Sequence, residues 1–411
     1  QSYCEGRARG AVERAIWVTM TNGVEATSEE TNLLIRLARQ RFVLKSEGAS
    51  PQEKDRAKKA MLDTIFAEGL SGHYSAVCGE LGWPVDEAKL GEMKAATAKE
   101  LASLEEKITD AVENLGDTEV REALAAKAEF ICKVGAPKEE RLLAFKIADE
   151  KTVAIGHKLD MVFSQLVMSI FDEDFQLMRD LIEKCKLLLE KGGDWERKNK
   201  LKVYEAIYLM ATRGFTEAGE LFLSSVATFT TTELFPYTML ILYTIITSII
   251  SLDRVSLKKK VVDAPEILTV IGEMPALEQL LNSLYECKYG DFFKALPEVA
   301  DLIKNDMFLA PHHRYFLREI RTVVYSQFLE SYKSVSLDGM AKTFGLTPDF
   351  IVTELARFIV SGAINCKIDK VAGIVETIQP DSKNTLYQST IKKGDHLLNK
   401  VQKLGRVIDM E

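Results

Sequence analysis

Six cysteines and five histidines are the residues of this chain best suited to metal binding or nucleophilic chemistry, and their spacing argues against both. Cys4, Cys78, Cys132, Cys185, Cys287 and Cys366 are far apart, with no C-x-x-C pair among them. A structural zinc site draws its ligands from short, clustered spacings. The cysteines are therefore expected to be buried, reduced thiols. His312 and His313 are neighbours, and on a helix adjacent side chains point about 100° apart, a poor arrangement for one metal. His73, His157 and His396 have no Cys or Asp partner at ligand spacing. The chain holds no H-E-x-x-H, no H-x-H and no G-x-x-x-x-G-K-[ST] loop. The expectation is a protein that is not an enzyme, with no catalytic residue, no metal, no cofactor and no small-molecule substrate.

Charge narrows the partners. The net charge is −8 and the pI about 5.5. Displacing phosphate counterions needs a surplus of Lys and Arg, so nucleic acid is disfavoured. The N-terminus has no charged-then-apolar signal pattern. The chain begins on Gln1, so its true start is expected to lie elsewhere. Leu234–Leu252 has no charged residue, but it contains Pro236, Tyr237, Tyr243 and several hydroxyls. A spanning helix needs about 20 strongly apolar residues, so this stretch reads as a buried helix and no membrane is expected.

The elements around these residues are mainly α-helical. Residues 1–85 form a divergent helical region of short helices and loops. A long helix follows over 86–116, with Leu101, Leu104, Ile108, Ala111 and Leu115 on one stripe and Gly116 as its left-handed stop. That stripe suits either its own domain or a partner. Over 117–332, turn-like sites recur at Gly135, Asp174, Gly214, Arg254 and Asp291, at gaps of 39, 40, 40 and 37 residues. Each gap holds two helices and their loops, which reads as a TPR-like helical-repeat solenoid.

After Ser334 the pattern changes. Ser336 caps a short helix that Gly345 ends; Thr347 caps a second, with Pro348 at its first position and Gly362 at its end. Ala363–Ile368 and Val371–Ile378 alternate as strands around a turn at Asp369 and Lys370. Helix–turn–helix followed by a hairpin is a winged helix, spanning 333–380. Its second helix carries only Asp349, Glu354 and Arg357 as charges, unlike a helix that reads DNA. The last element, 381–411, is a helix with Tyr387, Thr390, Gly394, Leu397, Val401, Leu404 and Ile408 on one seam.

A helical-repeat array capped by a winged helix and a long C-terminal helix is the PCI architecture. Leu104–Ala123 (LEEKITDAVENLGDTEVREA), Gly192–Tyr204 (GGDWERKNKLKVY) and Ala227–Tyr237 (ATFTTTELFPY) carry a closer likeness. So do Ser251–Leu268 (SLDRVSLKKKVVDAPEIL), Asn282–Phe293 (NSLYECKYGDFF), Val323–Val335 (VVYSQFLESYKSV), Cys366–Thr377 (CKIDKVAGIVET) and Gln379–Asn384 (QPDSKN). Over Leu104 to the C-terminus the chain resembles PCI-domain lid subunits of the 26S proteasome regulatory particle, the non-ATPase regulatory subunit 7 family. The resemblance implies a non-catalytic scaffold that organises the lid in ubiquitin-dependent degradation, in cytoplasm and nucleus. It implies other PCI and MPN subunits of the lid, and the ATPase base, as partners. The alternatives are the paralogous PCI subunit of the signalosome, or a nucleic-acid-binding PCI protein, which would need a basic winged helix.

Two interfaces are expected. A sheet as small as the wing is marginal alone, and a free edge invites a partner's strand; Ile364, Cys366, Ile368 and Val375 mark that edge. Leu397, Val401, Leu404 and Ile408 have no partner within a winged helix that has its own core, and are expected in a helix bundle with other subunits.

Overall fold

A computed structural model describes residues 31–46, 48–114, 116–378 and 382–408; for Ser382, Asn384, Thr385, Val407 and Ile408 it describes the backbone alone. The described residues divide into two compact units. The first runs to Tyr285 and takes in Lys294–Leu317; the second comprises Glu286–Phe293 and everything from Arg318.

The first unit opens with α1 (Leu33–Lys45), α2 (Pro51–Ala67) and α3 (Ser71–Leu81). Asn32 caps α1, its side chain accepting from the Leu34 N–H at 2.9 Å. Ser50 and Glu53 form a reciprocal capping box at α2, with Pro51 at its first position. The expected long helix is α4 (Glu87–Asn114), paired with α5 (Asp117–Val134). The stripe of Leu101, Leu104, Ile108 and Ala111 is half-buried to buried, and Lys127 of α5 reaches Glu105 at 2.7 Å. This helix therefore packs within its own unit. Gly116 is not a left-handed stop: its φ is −100° and it serves as the extended N-cap of α5, a place any residue can take. Leu115 lies outside the described residues.

The array continues through α6 (Lys138–Lys151), α7 (Ile155–Phe171), α8 (Phe175–Lys191), α9 (Trp195–Ala211), α10 (Phe215–Ser225) and α11 (Tyr237–Ser251). Consecutive helices pack on one another. The repeat seen in the sequence is a repeat of helix-ending turns. Gly135, Glu173 and Arg213 have φ of 84°, 57° and 68°, at spacings of 38 and 40 residues. Each donates to the carbonyl three residues back, and the next N–H to the one five back: Gly135 to Cys132, Ala136 to Ile131, Glu173 to Ile170, Asp174 to Ser169, Arg213 to Met210, Gly214 to Leu209. This double bond satisfies carbonyls that the helix end leaves orphaned. Only the first turn uses glycine; the others hold a side chain in a conformation costing about 1–3 kcal/mol.

Glycine is required at Gly135 for a second reason. A Cβ on Gly72 of α3 would stand 2.1 Å from the Gly135 carbonyl oxygen, and one on Gly135 would stand 2.8 Å from the His73 ring. Two glycines thus let α3 cross the end of α5 in backbone contact. Farther along the chain, α1 packs on α7, where the buried Arg41 donates to the Phe171 carbonyl at 2.6 Å and pairs with Glu173 at 2.9 Å.

Helix α11 is the apolar stretch read as a buried helix, and it is one: every residue from Leu240 to Ile249 is buried. No helix among the described residues is long and apolar enough to cross a membrane. Tyr243 donates to the buried Asp306 at 2.6 Å, and that carboxylate also accepts from the Phe308 and Leu309 N–H groups. Short helices α12 (Arg254–Leu257) and α13 (Pro265–Ile271) flank a π-helical turn at Lys258–Val262, and α14 (Pro275–Tyr285) follows. Next come α15 (Tyr289–Lys304) and α16 (His313–Glu330), whose residues fall partly in each unit. Asp291 lies inside α15; the turn falls at Cys287, with φ of 60°.

In the second unit Phe344 is the hub of an aromatic core, its ring 5.0–5.5 Å from those of Tyr289, Phe293, Tyr325 and Phe328. The winged helix runs β1 (Ser334–Ser336), α17 (Leu337–Phe344), α18 (Pro348–Val360), β2 (Cys366–Asp369) and β3 (Ile374–Thr377). Ser336 caps α17 by accepting from the Gly339 N–H, and Gly345 ends it at φ 68°. Thr347 holds the cap position of α18 without a side-chain bond, and Gly362 follows that helix at φ 73°.

The sheet differs from the expected hairpin. It has three antiparallel strands in the order β1-β3-β2, with Val335 opposite Val375 and Ile368 opposite Val375 on the other side. Strand β1 escaped the sequence reading because three residues are too few to show alternation. β3 begins three residues later than expected. Asp369 accepts from the Val371 and Ala372 N–H groups, and Gly373 at φ 65° closes the turn, leaving Val371 wholly exposed. The last helix is α19 (Ser382–Ile408).

Candidate interaction interface

The residues suited to chemistry stay apart. His312 is held by two partners: its Nε2 meets the Ala211 carbonyl at 2.6 Å and its Nδ1 accepts from Arg213 Nε at 3.0 Å, an arrangement that suits the tautomer with its proton on Nε2. His313 instead meets the Ala310 carbonyl at 2.8 Å. His157 and His396 are exposed, and His73 is buried beside Phe171. Among the described residues no three His, Cys, Asp or Glu side chains come together as metal ligands. Cys78, Cys132, Cys185, Cys287 and Cys366 are free thiols. Burial pushes the Cys132 thiol up to about 11 and that of Cys185 up to about 12, so neither is a ready nucleophile. Cys4 lies outside the described residues.

The wing brings its four marked residues together, but not on the surface. Ile364, Cys366 and Val375 are 6%, 3% and 0% exposed, and burial also raises the Cys366 thiol. Their side chains fill the winged-helix core, because the alternation that puts Ile364 and Cys366 on one face puts that face inward. Ile368, last on that face, is half-buried. What the wing presents outward is main chain: among the described residues, in the order β1-β3-β2, β2 has a neighbour on one side only.

The exposed surface of α18 presents Asp349, Phe350, Thr353, Arg357 and Val360. Its third charge, Glu354, faces inward, paired with Arg321 at 2.6 Å and accepting from the Tyr325 hydroxyl at 3.0 Å. Burial first, then this carboxylate, raises the Tyr325 hydroxyl. One Asp against one Arg leaves no positive field for a phosphate backbone.

Helix α19 is a different surface. Leu397, Val401 and Leu404 are 66%, 60% and 61% exposed. The Ile408 side chain lies outside what is described. Leu386, Tyr387, Ile391 and Leu398 are exposed as well. At about 100° per residue, Leu386, Leu397 and Leu404 edge one side of an apolar arc, Tyr387, Leu398 and Ile391 the other, and Val401 lies between them. The arc spans roughly 140°, wider than the seam of a two-stranded coiled coil. The seam read from the sequence caught Leu397, Val401 and Leu404, with Tyr387 on the opposite edge; Ile391 and Leu398 complete that edge, legible in the same periodicity one residue over.

Comparison with known proteins matches the helical repeats, the winged helix and the last helix in turn. A family model described as 26S proteasome subunit RPN7 matches residues 86–260, the PCI domain matches 296–378, and the RPN7/PSMD6 C-terminal helix matches 387–408. The 26S proteasome non-ATPase regulatory subunit 6 homolog of Arabidopsis thaliana is 53% identical over 95% of this chain and 100% of its own. The Dictyostelium discoideum subunit 6 is 46% identical over 90% and 96%. The Saccharomyces cerevisiae regulatory subunit RPN7 is 33% identical over 89% and 91%. The numbers six and seven thus name one family, which the description of the C-terminal helix joins. With family models matched over the helical repeats, the winged helix and the C-terminal helix, and relatives matched over nearly their whole length, the chain belongs to the RPN7 family of 26S proteasome non-ATPase regulatory subunits.

Proposed function

We infer that the chain is a non-catalytic scaffold of the proteasome lid, joined to its neighbours through α19 and the wing. The observation that carries this reading is the exposed apolar arc of α19. Isolated helices gain little from propensity, so a long helix with an uncovered arc draws its stability from packing against something else. Each such side chain contributes about 1.5–3 kcal/mol when fully buried, before ordering costs. An arc of roughly 140° suits a bundle, where more than one helix covers it. The free side of β2 adds a second contact, made by main-chain hydrogen bonds to a neighbour's strand.

The partners that fit are other PCI and MPN subunits of the lid, with the solenoid of the first unit contacting the ATPase base. Such a subunit is expected in cytoplasm and nucleus. Truncation before Lys383, or the pair Leu397→Asp and Leu404→Asp, is expected to leave a folded chain that no longer co-purifies with the regulatory particle. Native mass spectrometry of tagged complexes reads this directly. Normal yield of complexes containing the truncated chain would remove α19 from the assembly. Signalosome subunits in place of ATPases among the co-purifying proteins would overturn the lid assignment.

A further inference from the structure

The polar side of α19 is out of character with the rest of the chain. Between Ser382 and Ile408 stand Lys383, Lys392, Lys393, Lys400, Lys403 and Arg406 against Asp395 alone, a net of +5. With −8 for the whole chain, everything outside the helix totals −13, including Asp409 and Glu411 just beyond it. All six cations are exposed. Apart from Lys383, each lies about 90° or more from the centre of the apolar arc, with Lys392 and Lys403 nearly opposite it. Cations near a helix C-terminus are favoured by the macrodipole, which accounts for Lys403 and Arg406. It does not account for Lys392 and Lys393 in mid-helix. Lys400 and Lys403 also sit at i,i+3, as do Lys403 and Arg406, where like charges oppose helix formation.

We propose that the basic side of α19 docks an acidic polypeptide segment, rich in Asp and Glu, while the apolar arc is buried elsewhere. The two faces are nearly opposed, so one helix engages both at once. Charge complementarity selects the partner. A long polyanion such as nucleic acid is disfavoured by the net −8 of the chain, whereas a short acidic segment needs only the +5 of the helix. A lipid surface calls for cations at the border of the apolar face, close to the headgroups; Lys392, Lys403 and Arg406 point away from that border.

The test uses the full chain and a fluorescein-labelled poly-glutamate peptide, read by fluorescence anisotropy. Binding is expected to weaken about tenfold or more between ~50 and ~200 mM salt. The triple variant Lys392→Glu, Lys400→Glu, Lys403→Glu is expected to lose it. The corresponding glutamine triple, which keeps helix propensity, is expected to weaken it. Leu397→Gln with Leu404→Gln, which leaves the charge of the helix unchanged, should retain binding, which separates this proposal from the role of the apolar arc. Lys258→Glu, Lys259→Glu and Lys260→Glu, at the other lysine run, should retain it too. Affinity within about twofold of the unmodified chain in both α19 triples would overturn the proposal. So would loss of binding on changing Lys258–Lys260, or tighter binding of duplex DNA or phosphatidylserine vesicles than of the peptide.

Discussion

Helices α11 and α19 each carry a run of large apolar residues, and they lie in opposite surroundings. In α11 the apolar side chains go all the way round, and Leu240 through Ile249 are buried. Its two buried threonine hydroxyls are satisfied within the helix: Thr244 donates to the Leu240 carbonyl and Thr247 to that of Tyr243, each at 2.7 Å. In α19 the apolar residues keep to one arc, the rest of the surface is charged, and the arc is exposed. A helix with no polar side has nowhere to be but inside its own unit. A helix with a wide apolar arc and a charged back is soluble enough to stand clear and apolar enough to be captured. The same residue types therefore serve a core in one place and an assembly in the other.

That contrast breaks most sharply with matched Asp substitutions. Ile245→Asp, at a fully buried position in α11, leaves an unpaired carboxylate in the core. It is expected to cost at least about 4 kcal/mol and to abolish cooperative unfolding by circular dichroism. Leu397→Asp with Leu404→Asp should change chain stability by no more than about 0.5 kcal/mol per site, while removing the chain from the proteasome. A thermal melt and a co-purification on the same preparations read both arms. Equal destabilisation by the two sets would erase the distinction.

Within the first unit, the crossing of α3 and α5 offers a steric test. Gly72→Ala sets a methyl 2.1 Å from a backbone oxygen, with no flexible side chain to yield. It is expected to cost about 1–3 kcal/mol in chemical denaturation. Gly79, with open space around it, is the control on the same helix.

The neighbouring His73 gives this crossing a pH signature. Burial first, then the Arg141 and Arg41 charges, lower its pKa to about 4, against a weaker opposing bond from the Cys132 backbone. The folded ring refuses a proton that the unfolded chain accepts below about 6.5. Stability is therefore complete above that pH and is lost as pH falls from 6.5 towards 4, by roughly 2 kcal/mol over most of that window. The buried Asp306 works the other way, because burial raises its carboxyl and the fold takes that proton early. His73→Phe should flatten the dependence of melting temperature on pH between 6.5 and 4. An unchanged slope would show that other groups set it.

Much of the fold was legible because its signals are local. Ser336, Gly345, Pro348 and Gly362 each mark a helix boundary by their own chemistry. The repeat was legible at Asp174 and Gly214, one residue past the left-handed turns at Glu173 and Arg213. It slipped at Asp291, where the turn is a cysteine that no composition rule selects. The packing of α1 on α7 was not legible, because its contacts join residues more than a hundred positions apart, as Arg41 and Phe171 do. The interface residues divided for a physical reason. Alternation tells which strand residues share a face, but not which face is the core, so it marks Ile364, Cys366 and Val375 at the wing without showing that they point inward. The seam of α19 needed no such choice, since one face alone was apolar.

The smallest expected effect sharpens the comparison from the side of the wing. Ile368 lies opposite Val375 in register and is half-buried, while Cys366, two residues before it on the same face, is buried. Lysine at 368 can lay its aliphatic stem along Val375 and carry its ammonium to water, so the lone chain should lose about 0.5 kcal/mol or less. Lysine at 366 has no route out and should unfold the winged helix. A charge on an edge strand discourages the addition of a neighbouring strand. Ile368→Lys is therefore expected to reduce incorporation into the regulatory particle modestly, with the melting temperature nearly unchanged, and to compound the loss from Leu397→Asp with Leu404→Asp. Full incorporation of Ile368→Lys would mean that α19 alone carries the attachment. A loss as large as that of the α19 pair would mean that the two contacts form as one cooperative interface.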